Sequence, residues 1–236
     1  MTSPERIART AGLLYLVVAV VGAFAHFFVR ARVYVPGDAA TTAANVQANA
    51  SLVRVGVVAD LVQATCFLFV GMSLYRLLQH VDPSVARAMV LFVAVAVGII
   101  CLNMVHQLGA LLVATDPSYA TAFGAEGADA LVLLLLDLQH YGYLIAQIFF
   151  GLWLFPLGLL AYRSALFPRP LGILLMLGTL SYLVDVLLQF LAPELADAIS
   201  ALVLAPATLG EVSMLLYLLI KGVRTVLPAD RELVAA

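Results

Sequence analysis

Asp137 and His140 stand three residues apart in the run ALVLLLLDLQHYGYLIAQIFFGLWLFPLGLLAYR, Ala130 to Arg163. An α-helix turns about 100° per residue, so Asp137, His140 and Gln147 share one face, which Gly151 continues. A carboxylate and an imidazole so related can share a hydrogen bond, a proton or a metal ion. The run is long and apolar enough to cross a bilayer, yet it also carries Gln139. In lipid, such groups are costly unless they face the protein interior or water.

Other apolar runs repeat the pattern. Asp60 and Gln63 are spaced i and i+3, and Asn103, His106 and Gln107 lie on one face. Ser181, Tyr182, Asp185 and Gln189 share another, and Glu211 follows Thr208 and Pro206. The residues expected to line a pocket are therefore Asp60, Gln63, Asn103, His106, Gln107, Asp137, His140, Gln147, Asp185, Gln189 and Glu211.

The elements that must position them are membrane spans. Hydrophobic residues make up 64% of the 236 residues and charged residues only 11%; mean hydropathy is +1.08. A soluble domain is about 45–50% apolar and about 25% charged. Six segments approach the roughly 20 residues a bilayer core requires. They run near Ile7–Val29, Leu52–Leu78, Ala86–Ala114, Ala130–Tyr162, Leu171–Leu191 and Ala201–Ile220. No cleavage site and polar mature domain follow the first, which argues against a signal peptide. The fold class expected is all-α, a single polytopic domain of six transmembrane helices. Cys66 and Cys101 lie inside apolar runs without motif spacing and read as small hydrophobes.

Charge sets the expected orientation. With the N-terminus inside, nine of the twelve basic residues fall on the inner side, leaving Arg30, Arg32 and Arg54 outside. By the positive-inside rule both termini are cytoplasmic, and the expected location is a bacterial inner membrane. A net charge of −2 makes no basic field, so nucleic acid is not an implied partner. Membrane lipids are. The first outer connection is long: Pro36-Gly37 breaks the chain and Asp38 is placed to cap a short surface helix over Ala39–Asn49. His26 reads as an interfacial histidine among Phe24, Phe27 and Phe28. Pro156 is expected to bend the fourth span, and the tail PADRELVAA to fray.

Several runs resemble a bacterial membrane-protein family, domain-of-unknown-function family 4386. They are Gly37-Asp38-Ala-Ala-Thr-Thr-Ala-Ala-Asn45, Leu-Gln-His140-Tyr-Gly142, Phe-Gly151-Leu-Trp153-Leu-Phe-Pro156-Leu-Gly158, Tyr162-Arg163-Ser164, Pro168-Arg169-Pro170-Leu-Gly172-Ile-Leu-Leu, and Gly210-Glu211. The resemblance covers nearly the whole chain. It implies a multi-pass helical membrane protein and no particular activity.

Depth sharpens the chemistry. Asp60, His106, Asp137, Asp185 and Glu211 each lie about six to ten residues from the outer boundary, roughly 9–15 Å at 1.5 Å per residue. Asn103 and His140 fall close to the same layer, whereas the cytoplasmic-side runs AMVLFVAVAVGII, GLWLFPLGLLAY, LGILLMLGT and MLLYLLI hold no ionisable side chain except tyrosine. The expectation is a cavity open outward and closed below. Interhelical hydrogen bonding alone is the bland alternative, at about 0.6 kcal/mol a bond. Functional alternatives are a metal-dependent or acid/base enzyme on a lipid or small molecule, a sensor or accessory subunit binding a small molecule from the outer face, and a proton-coupled transporter. The apolar inner half argues against the transporter. A divalent metal would be held by His106, His140 and Asp137. Two histidines could instead hold a haem axially, but the surrounding acids disfavour it.

Overall fold

The computed structural model describes residues 3–224. Among these residues the secondary structure is helical, without strands. Six helices are long and apolar enough to cross a membrane: Pro4–Val33, Ala50–Leu78, Pro83–Thr115, Ala125–Arg163, Arg169–Leu191 and Pro193–Ile220. Leu102, Leu180, Leu202 and Ile220 are largely exposed on them. So much bare apolar surface on helices of this length is the mark of a lipid-facing protein. The chain is a multi-pass helical membrane protein.

Local chemistry sets the helix ends. The tripeptide Asp-Pro-Ser occurs twice and starts a helix each time. Asp82 Oδ1 accepts from the Ser84 and Val85 amides at 3.0 and 3.1 Å, opening the third span. Asp116 Oδ1 accepts from Ser118 N at 2.9 Å, opening a short helix, Pro117–Phe123, that the apolar pattern does not signal. In both, proline occupies the first turn, where its missing N–H costs nothing. The surface helix after Pro36-Gly37 runs Ala39–Ala48, with Thr41 N donating to Asp38 Oδ1 at 2.9 Å. These caps hold Asp38 and Asp116 below the usual carboxylate range, because backbone amides donate to the charged form. The sixth span starts at Pro193, eight residues before the expected Ala201, because Pro193 and Glu194 suit a first turn although the residues after them are only mildly apolar. Pro156 lies within the fourth span, which stays helical through it. The tail PADRELVAA lies outside the described residues.

The first span changes pitch at residues Phe24–Arg30, which form a π-helical turn. Nothing in FAHFFVR, free of Gly and Pro, announces it. The wider i→i+5 turn re-aims every side chain after Ala23, among them His26, Arg30 and Tyr34.

By its internal contacts the chain divides into two compact units. One comprises Val17–Phe67 and Ala96–Ala146; the other comprises Met1–Leu16, Leu68–Val95 and Gln147–Ala236. The first unit is centred on Val33, Val46, Val53, Ala110, Val132 and Leu136, all buried. The second buries Trp153, Phe167, Leu74, Met89, Leu175 and Met214. Its fourth and fifth spans meet at glycines: a Cβ on Gly158 would stand 2.6 Å from the Gly172 carbonyl oxygen. Small residues are what allow membrane helices so close an approach.

Candidate functional site

In the unit built from Val17–Phe67 and Ala96–Ala146, polar side chains gather in two groups, one around Arg30 and one around Tyr34. Arg30 Nη2 donates to Asp60 Oδ2 at 2.7 Å, with side chains 13% and 1% exposed. The Gln139 amide, oriented with its carbonyl oxygen toward the guanidinium, accepts from Arg30 Nε and Nη2 at 2.6 and 2.9 Å. The Tyr143 ring lies 5.2 Å from the guanidinium carbon. A buried carboxylate, an amide oxygen and an aromatic face thus hold one cation. Asp60 Oδ1 has no hydrogen-bond partner.

Asn103 Nδ2 donates to the backbone carbonyl oxygen of Gln139 at 2.7 Å, and Asn103 Oδ1 lies 3.1 Å from His106 Nδ1. Gly142 makes room for this, since a Cβ there would meet Asn103 Cγ at 2.8 Å. Asp137 does not pair with His140 as the i, i+3 spacing suggests. Its Oδ1 accepts from the Tyr34 hydroxyl at 2.5 Å. The Tyr34 ring in turn stacks on His140, centroids 6.1 Å apart. Burial, then the Asp137 carboxylate, raise the Tyr34 pKa well above the phenol range, so Tyr34 stays neutral and donating.

Arg30, Tyr34, Gln139 and His140 border a hollow of about 290 Å³, lined also by His26, Phe27, Ala31, Val33, Pro36, Val46, Val53, Gln107, Ala110 and Leu136; Asp60, Asn103, His106 and Asp137 are not in its lining. Gln107 is 2% exposed, and its Oε1 lacks a hydrogen-bond partner. A buried amide oxygen without a donor costs about 1–3 kcal/mol. Gln63 lies elsewhere in this unit, against Gly22.

Four expected residues fall in the other unit. Gln147 Nε2 donates to Asp185 Oδ2 at 2.6 Å, leaving Asp185 Oδ1 without a partner. Glu211 accepts from two phenols, Tyr15 at 2.8 Å on Oε1 and Tyr182 at 2.7 Å on Oε2. Gln189 Nε2 donates to Ser200 Oγ at 3.1 Å.

Sequence reasoning left Arg30, Tyr34, His26 and Gln139 out of the site. The charge pattern places Arg30 in an outer loop, although a basic residue four positions after a histidine at the end of an apolar run is a signal for it. Gln139 was visible as a polar residue but sits off the face that Asp137 and His140 share. As for a metal, His106 is directed to Asn103 and His140 to Tyr34. Among the described residues no three His, Cys, Asp or Glu side chains converge to hold an ion.

Comparison with known proteins supplies a family and no chemistry. An uncharacterized protein of Archaeoglobus fulgidus is 32% identical over 155 residues, covering 65% of this chain and 75% of the relative. No solved structure matches. The model of the family described as "Domain of unknown function (DUF4386)" matches residues 10–222, and the chain belongs to that family.

Proposed function

We propose that this is a membrane-embedded binding protein for a small organic molecule, held in the hollow beside Arg30, Gln107 and His140. The observation that carries this reading is a largely apolar hollow whose lining gathers the polar side chains of Arg30, Gln107, Gln139 and His140. Such a wall suits a compact apolar body bearing one hydroxyl or N–H donor. At about 290 Å³ the space is near the lower end of ligand pockets, about 300–1,000 Å³. The Arg30–Asp60–Gln139 set is already neutralised, which disfavours a charged ligand there. An organic ligand is favoured over a metal because Asp137 and His140 both engage Tyr34, whereas His106 engages Asn103.

The proposal places both termini in the cytoplasm of a cell with this chain in its inner membrane, on the strength of the nine inner basic residues. The ligand then enters from the outer side. Reporter fusions at Ser118 should read external and those at Arg169 cytoplasmic; the reverse pattern would overturn the orientation.

Mass spectrometry of an organic extract of detergent-purified protein tests the binding reading. A near-stoichiometric compound with a hydroxyl or N–H group should be present in the parent and depleted in Gln107→Leu. Equal retention by Gln107→Leu would remove Gln107 from the site. If the parent carries nothing and gains no thermal stability from any of a panel of small alcohols and amines, the binding reading fails.

A further inference from the structure

A second hollow, of about 980 Å³, lies in the unit that contains Gln147–Ala236. Its lining includes Arg163, Arg169, Arg224, His80, Tyr162 and Ser164. We propose that it is a binding site for a phosphate-bearing anion, and that the source of the phosphate is the headgroup of an acidic phospholipid.

The site is built rather than incidental. Between the fourth and fifth spans the chain turns through Ser164–Pro168, with Ser164 Oγ donating to Ala161 O at 3.1 Å and accepting from Leu166 N at 3.2 Å. Ala165 holds a left-handed φ of 57°, a conformation that alanine adopts only when its surroundings impose it. Phe167, 1% exposed, pins the turn against Tyr217, ring centroids 5.6 Å apart. Arg224 N donates to Leu166 O at 3.0 Å, bringing the third arginine to the same wall.

The cations are available. Arg169 lies over the Tyr162 ring at 5.6 Å, a contact that fixes the plane of a guanidinium while leaving its N–H edge free to donate. Arg163 reaches Asp82 at only 3.9 Å, and both side chains are substantially exposed. Among the described residues, neither Arg169 nor Arg224 has a carboxylate within 4.0 Å. The positive-inside rule accounts for arginines near inner helix ends, but not for three of them around one hollow. Planar guanidiniums bind phosphate oxygens in pairs. Basic hollows between the ends of membrane helices are where anionic headgroups bind. The volume exceeds what one phosphate needs and leaves room for a glycerol moiety, with Tyr162, Phe167 and Pro170 as an apolar wall.

The test follows thermal unfolding of the full chain in a neutral detergent, titrated with dihexanoyl-phosphatidylglycerol, dihexanoyl-phosphatidylcholine or inorganic phosphate at matched ionic strength. Phosphatidylglycerol should stabilise the parent at concentrations where phosphatidylcholine does not. Arg169→Gln combined with Arg224→Gln should weaken that effect about tenfold or more, the loss of two charge-assisted contacts. If the double variant fails to fold, Arg169→Lys, which keeps the charge but loses the paired donors, should still weaken it several-fold. Inorganic phosphate matching phosphatidylglycerol would keep the anion site but overturn the lipid as its source. Equal effects of the two lipids without any effect of phosphate, or variants that bind as the parent does, would overturn the site itself.

Discussion

Arg30 and Asp60 form an ion pair at 2.7 Å, with the carboxylate almost wholly buried and the guanidinium nearly so. The two residues are 30 positions apart, and the π-helical turn ends on Arg30 itself. Removing one partner strands the other in a poorly solvated place, which costs about 3–5 kcal/mol, whereas replacing both with apolar residues is often close to neutral. Asp60→Ala should therefore lower thermal stability strongly, and Asp60→Leu with Arg30→Met should recover much of the loss. A double variant as unstable as the sum of the singles would show that the pair is not coupled.

Glu211 presents a second case, in which two hydroxyls serve one carboxylate. Tyr15→Phe and Tyr182→Phe each leave one oxygen of Glu211 without its donor. Each should cost about 1–3 kcal/mol. Because both act on the same group, the double variant should deviate from additivity by about 0.5 kcal/mol or more. Detergent thermal melts of the four proteins decide this; strictly additive losses would argue against a shared role for Glu211.

Contact between the fourth and fifth spans depends on the absence of a side chain. A Cβ at Gly158 would meet the Gly172 carbonyl oxygen at 2.6 Å, and backbone cannot step aside as a flexible side chain can. Gly158→Ala should destabilise by about 1–3 kcal/mol, as overpacking does elsewhere. Gly98, with nothing within 4 Å of its Cβ position, provides the control. There an alanine should be neutral or mildly stabilising, since it removes backbone freedom from a helix interior. Equal effects at the two positions would contradict the packing described.

The loop caps have a definite pH dependence. Backbone donors at Thr41 and Ser118 hold Asp38 and Asp116 below their ordinary pKa. A depressed folded-state pKa means that the caps contribute above the unfolded value of about 3.9, and that the contribution is lost as pH falls through the lower, folded value. The Thr41 and Ser118 amide resonances should titrate with midpoints below about 3.9. Asp38→Asn should keep the cap and abolish the Thr41 titration, because asparagine caps helices without a charge. Midpoints at or above the ordinary carboxylate value would contradict these hydrogen bonds.

The six spans were legible in the sequence because the signal that makes a membrane helix is local and additive. Each run of some 20 apolar residues carries its own free energy of insertion, whatever its neighbours do. Capping is also local, so Asp38 could be read as the start of a helix from its own neighbours. The short helix after Asp116 escaped because its residues are neither apolar nor periodic, and the start of the sixth span because Pro193 outweighs a polar first turn.

Partners of the buried polar groups were a different matter. Spacing along one helix put Asp137 beside His140, but the carboxylate pairs with Tyr34, 103 positions away. No count along a single helix can weigh a donor that arrives from another part of the chain. The same holds for Gln139 and Asp60, which meet Arg30 only because a π-helical turn rotates that side chain inward. Common depth had suggested one ionisable layer; in the fold, Asp60, Asn103, His106, Asp137 and His140 belong to one compact unit, and Gln147, Asp185 and Glu211 to another. Hydrophobic burial scales with area and is readable from composition, whereas a hydrogen bond is decided by distances of a few ångströms between specific atoms. The sequence alone therefore determined that this chain crosses a membrane six times and which residues would be polar within it. Only the tertiary structure decided which of them bind each other and which, like Gln107 Oε1, are buried without a donor.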